Sequence, residues 1–129
     1  MNQEERVQGH RAYGGVLVVP CLLNDAYRCW LLADTGAART VLSSQIAEEM
    51  ELDLRRPVRH ERIASVHQLA HVPAVRIDSL QVGSRRVPGL EVLVCSFPPA
   101  LRVDGLLGVN FLERFNPTFE FEPAALVLR

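Results

Sequence analysis

Leu31-Leu32-Ala33-Asp34-Thr35-Gly36-Ala37 carries an apolar run directly into a carboxylate and a turn. A carboxyl group at the end of such a run is held by a strand, the support that an accurately placed side chain needs. Gly36 permits a tight turn and leaves backbone amides open toward the carboxylate. Thr35 adds a hydroxyl able to lock the loop. Three common residues in this order also occur as an ordinary turn, so the triplet gains weight only from its surroundings.

Upstream, Gly14-Gly15 opens the run Val16-Leu17-Val18-Val19-Pro20-Cys21-Leu22-Leu23, too β-branched and too short to favour a helix. Asn24-Asp25 supplies turn residues, and Tyr27-Arg28-Cys29-Trp30-Leu31-Leu32-Ala33 follows as the second arm of a predicted β-hairpin. Pro20 has no backbone donor and is expected at an edge or a bulge.

Downstream, Thr40-Val41-Leu42 precedes Ser43-Ser44, candidate N-caps for a short helix from Gln45 to Met50. The text from Val58 to Val94 reads as strands, with a turn at Val82-Gly83-Ser84 and a loop at Phe97-Pro98-Pro99. A second apolar pair and glycine, Leu106-Leu107-Gly108, stands about seventy residues after the first motif and leads into a helical phrase, Val109 to Phe115, halted before Pro117. A final hairpin is expected from Thr118-Phe119-Glu120-Phe121 and Leu126-Val127-Leu128 around Pro123. The reading is mainly β with one or two short helices: a single domain over residues 14–129, preceded by an N-terminal extension, residues 1–13.

The chain has 129 residues, 48% of them hydrophobic and 22% charged, enough for one buried core. A net charge of −1 provides no basic field for nucleic acid or an anionic membrane surface. The polar start, Met1 to Arg6, and the lack of any apolar run of about 20 residues predict a soluble, cytoplasmic protein. Cys21, Cys29 and Cys95 sit in apolar runs without a CxxC pair and read as buried thiols. His60, His67 and His71 lack a ligand-like spacing and an acidic or cysteine companion, so neither a metal nor a cofactor is expected. Asp104, before a glycine, reads as a turn residue, or as one that touches substrate or a partner. Arg39 reads as an exposed loop charge, or as the partner of a carboxylate across an interface.

Taken together, Leu32-Ala33-Asp34-Thr35-Gly36-Ala37 and Gly105-Leu106-Leu107-Gly108-Val109-Asn110-Phe111-Leu112 resemble, in order and spacing, the retropepsin-like aspartic peptidases and their bacterial single-domain members. The resemblance extends over about residues 14–129. It implies a closed, barrel-like acid-protease (retropepsin) fold, homodimeric, in which Asp34 from each subunit meets its copy at a two-fold axis. It further implies an aspartic endopeptidase acting on a polypeptide substrate. Asp34 would be catalytic. Thr35, Gly36, Ala37, Leu106, Leu107 and Gly108 would support its loop, and Ser65, Val66, His67 and Gln68 would lie in a flap over the substrate. The stretch Ile63 to His71 contains no glycine, unlike the glycine-rich flap of the retroviral members. That departure favours a rival expectation, a dimerisation or peptide-binding module of the same fold that does not cleave.

Overall fold

The computed structural model describes residues 3–64 and 69–129. In chain order the strands are β1 (Glu5–Gln8), β2 (His10–Ala12), β3 (Val16–Leu23), β4 (Tyr27–Ala33), β5 (Thr40–Ser43), β6 (Arg59–Ala64), β7 (Leu69–Arg76), β8 (Ser79–Val82), β9 (Arg85–Pro88), β10 (Glu91–Cys95), β11 (Gly105–Leu107), β12 (Thr118–Phe121) and β13 (Ala124–Leu128). Helix α1 (Ser44–Glu49) follows β5, and α2 (Val109–Leu112) runs into a 3-10 turn over Glu113–Phe115. The mainly β reading and both short helices therefore hold.

The β3–β4 hairpin forms as expected. Asn24 and Asp25 take left-handed backbone angles (φ 52° and 57°), which these side chains tolerate better than most. Along β4, burial alternates: Cys29, Leu31 and Ala33 point inward, while Trp30 and Arg28 are exposed. Each fully buried leucine of this kind stabilises by about 1.5–3 kcal/mol relative to exposure. Pro20 is opposite Trp30 on the β4 side. On its other side β3 is flanked by β2 at Val16–Val18 and by β8 at Leu22–Leu23, so the proline falls in the gap between them. A residue without an N–H is suited to that gap.

The larger sheet runs β6-β7-β10-β5-β11-β4-β3-β8-β9, with β2 added on β3. Among the described residues, this is an open path: no pairing joins β6 to β9. The closed barrel expected from the sequence is thus corrected to an open, strongly interconnected sheet, because the end strands pair only inward. A separate three-stranded sheet has the order β1-β13-β12. The stretch expected as an extension therefore contributes β1 and β2, with Val7 buried. Leu126 and Leu128 of β13 are fully buried, Phe119 packs against the same core, and Phe121 is exposed.

Ser43 caps α1 from an extended conformation, its hydroxyl accepting from the backbone N–H of Ile46 at 3.2 Å. Such a cap contributes about 1 kcal/mol. Ile46 and Ala47 anchor the helix on the core. In α2, Phe111 is fully buried and Leu112 nearly so, and together they hold the helix beneath the loop that follows β4.

Candidate active site

Three strands converge at Asp34. β11 lies between β4 and β5, parallel to the first (Leu32 opposite Leu106, Ala33 opposite Leu107) and antiparallel to the second. The ladder continues one step past β4, where the Asp34 N–H donates to the carbonyl of Leu107 at 3.0 Å. Asp34 is consequently the first residue beyond a strand anchored on fully buried Leu107. Its chain then turns. The Gly36 N–H donates to Asp34 Oδ1 at 2.8 Å, and the Ala37 N–H to the Asp34 carbonyl at 3.3 Å. The carboxylate is half-buried, with Thr35 and Gly36 exposed beside it.

The loop from Asp34 to Arg39 is tied down from below. The Ala37 carbonyl accepts from Val109 N–H at 2.8 Å, and that of Ala38 from Asn110 N–H at 3.1 Å. These amides open α2 and have no partner within the helix, so the loop carbonyls satisfy donors that would otherwise be orphaned. Gly108 allows this closeness. A Cβ there would stand 2.7 Å from Thr40 N and nearer still to the Arg39 carbonyl group. Gly105 is similarly confined, its missing Cβ directed at the Val41 carbonyl in the adjacent strand.

Sequence reasoning missed the polar knot under this loop. Thr40 is completely buried. Its backbone N–H and its hydroxyl both donate to Asn110 Oδ1, each at 2.9 Å, and its hydroxyl accepts from Gly108 N–H at 3.0 Å. Asn110 Nδ2 in turn donates to the Glu91 carbonyl at 2.8 Å. A buried polar network stabilises only when each member is partnered, and here each is. The signal was present: one polar residue within each apolar phrase, Thr40 before Val41-Leu42 and Asn110 before Phe111-Leu112.

Arg39 departs from expectation. It is not a free loop charge, because it has a carboxylate partner within its own chain. Its Nε donates to Glu61 Oε1 on β6 at 3.1 Å, and its side chain is 42% exposed. Glu61 also accepts from Arg59 Nε at 3.0 Å. Arg59 reaches Glu91 at the start of β10, and Glu91 accepts from Arg76 at 3.0 Å. Hydrogen bonding from Arg59, reinforced by Arg39, holds the Glu61 carboxyl below its ordinary value of 4.5 despite some desolvation. Arg59 and then Arg76 do the same for Glu91. Asp104 also has a defined role in place of a plain turn: its Oδ2 accepts from Trp30 N–H at 2.8 Å.

Ser65, Val66, His67 and Gln68 lie outside the described residues. The strands that lead to them, β6 and β7, are paired in register from Arg59 opposite Ala74 to Ala64 opposite Leu69. Among the described residues, no three His, Cys, Asp or Glu side chains converge as a metal site. No helix among them is long and apolar enough to cross a membrane.

A family model described as "Aspartyl protease" matches residues 19–111. No curated protein matches the chain. Among solved structures, the chain is similar to the crystal structure of a retropepsin-like aspartic protease from Rickettsia conorii, with 20% sequence identity and a TM-score of 0.74. The match covers 98% of this chain and 91% of that one, a likeness of fold across almost the whole of both.

Proposed function

The chain belongs to the aspartyl protease family, and from that premise we propose that it is an endopeptidase in which Asp34 supplies half of a catalytic pair. The observation that carries this reading is the carboxylate itself. Asp34 is half-exposed at a strand end, one oxygen held by Gly36 N–H at 2.8 Å, on a loop braced by β11 and α2.

One carboxylate cannot act as acid and base in the same step, and each chain provides one such loop. A symmetric dimer resolves this, since a two-fold axis brings the same residue of both subunits together. At about 3 Å two carboxyl groups share a single proton, as aspartic proteases do. The ionised member draws a proton from water, the water oxygen attacks the peptide carbonyl, and the protonated member gives its proton to the carbonyl oxygen. Collapse of the tetrahedral intermediate expels the amine, which leaves protonated. Thr35, which is exposed, would reach the opposite loop in such a dimer. Gly36 and Ala37 shape the turn, and Leu106 and Leu107 support it from β11 with Gly108 at the start of α2. The paired strands β6 and β7 would supply the arms of a flap over the substrate. A polypeptide would bind extended, adding its backbone to exposed strand edges.

The test is cleavage of a denatured protein or peptide library from about pH 3 to 8, wild type beside Asp34→Asn, which preserves shape and removes the ionisable group. Cleavage lost in the variant, and falling away on dilution of the wild type, is the expected result. Equal background from both proteins would replace this reading with the non-cleaving, peptide-binding one.

A further inference from the structure

We propose that Arg39 and Glu61 form a strut that sets the position of the β6–β7 pair over the catalytic loop, making Arg39 a positioning residue for substrate capture. The inference rests on the peptidase reading for its kinetic consequence, while its structural part stands alone.

Arg39 and Thr40 are neighbours on the segment leaving the Asp34 loop, and each begins a separate chain of contacts. From Arg39 the chain runs to Glu61, then Arg59, then the carboxylate of Glu91. From Thr40 it runs to Asn110, then to the backbone carbonyl of Glu91. Both routes end on Glu91, so they close a circuit around the base of β6. The β ladder alone leaves β6 weakly held. Among the described residues, it is the end strand of the larger sheet, paired with β7 on one side only. The Glu61 side chain, through Arg39, ties β6 to the catalytic loop.

The charges suit a strut better than a stabilising ornament. Glu61 is 23% exposed and faces two guanidinium groups, Arg39 from the loop and Arg59 from its own strand. Glu91, 24% exposed, likewise faces Arg59 and Arg76. Arg59 already binds Glu61 Oε1 within the hairpin. The Arg39 bond is the additional one, and it crosses from the hairpin to the catalytic loop.

The experiment joins two readouts on Arg39→Gln, Glu61→Gln, the double variant and Arg39→Lys. Amide exchange over residues 59–64 and 69–76 reports the hairpin without reference to activity. In the same proteins, kcat and KM are measured on a peptide substrate. We expect either single neutralisation to speed exchange in both strands by about 2–5-fold, the range of a single partly exposed ion pair. KM rises several-fold with kcat within about twofold, the double variant resembles Glu61→Gln alone, and Arg39→Lys regains part of both effects. Unchanged exchange, or effects of Arg39→Gln and Glu61→Gln that simply add, overturns the strut. Absence of Asp34-dependent cleavage overturns the peptidase reading instead, because the exchange cycle still decides the strut.

Discussion

Replacing Thr40 with valine preserves shape while removing one oxygen, and the structure sets the cost. The hydroxyl donates to Asn110 Oδ1 at 2.9 Å and accepts from Gly108 N–H at 3.0 Å, on a residue with no exposure. Leaving the buried Gly108 donor unpaired costs about 1–3 kcal/mol, and the lost bond to Asn110 about 0.5–1.5 kcal/mol more. The methyl that takes the oxygen's place recovers about 0.8 kcal/mol. The net is a loss of about 1–4 kcal/mol, or roughly 4 °C in Tm for each kcal/mol at this chain length. Thr40→Ser is the control: it keeps both hydrogen bonds and loses one methyl, about 0.8 kcal/mol. Urea and thermal unfolding of both variants at one protein concentration provide the measurement. Thr40→Val as stable as wild type, or no worse than Thr40→Ser, would refute the claim that this knot supports the loop.

Gly108→Ala should lower stability by about 1–3 kcal/mol through overpacking alone. Its φ of −94° and ψ of −179° are open to any residue, so a neutral result in urea unfolding would show that the approach of Arg39 and Thr40 relaxes easily. Glu61 and Glu91 are held below their ordinary value by Arg59, with Arg39 and Arg76 as second partners. Their contribution is complete above about pH 4.5 and lost as pH falls through the lower folded-state values. Glu61→Gln should therefore trail wild type in urea at neutral pH and close the gap near pH 3; a constant gap would contradict the assignment. Burial pushes the Cys21 thiol well above its ordinary value, and half-burial raises that of Cys95. An aromatic disulfide reagent should label Cys95 before Cys21 and Cys29 and reach all three only on unfolding; immediate labelling of Cys21 would be inconsistent with its place in the core.

The parts legible in the sequence were those with a local cause. Alternating burial along Tyr27 to Ala33, left-handed turn residues at Asn24-Asp25 and the serine before Ile46 each act within a few residues, and each element formed. Leu106-Leu107-Gly108 was legible for a different reason, as the second half of a two-part pattern. The barrel was not. Whether the end strands of a sheet meet depends on the twist and length of every strand between them, and no single residue records that. Arg39 illustrates the same limit for the site. Its partner Glu61 belongs to a strand reached through a separate turn of the chain, and a lone charge carries no mark of which opposite charge will neutralise it.

The three-stranded sheet has a consequence in time. β13 is its centre, and its neighbour β1 is made well before it: Glu5 pairs with Leu128, a separation of 123 residues. At roughly 5–20 residues per second, a growing chain carries β1 for roughly 6–25 seconds before β13 exists. Throughout that interval Val7 has no β13 to cover it, and the N–H and C=O groups of Arg6 to Gln8 face water. The large sheet, whose β3–β4 and β8–β9 hairpins close over short turns, can assemble meanwhile. The small sheet cannot, and long-range pairing of this kind is slow. Synthesis thus leaves the β1 edge open until a segment 123 residues later is made, and any factor that shields nascent chains would have that edge to guard.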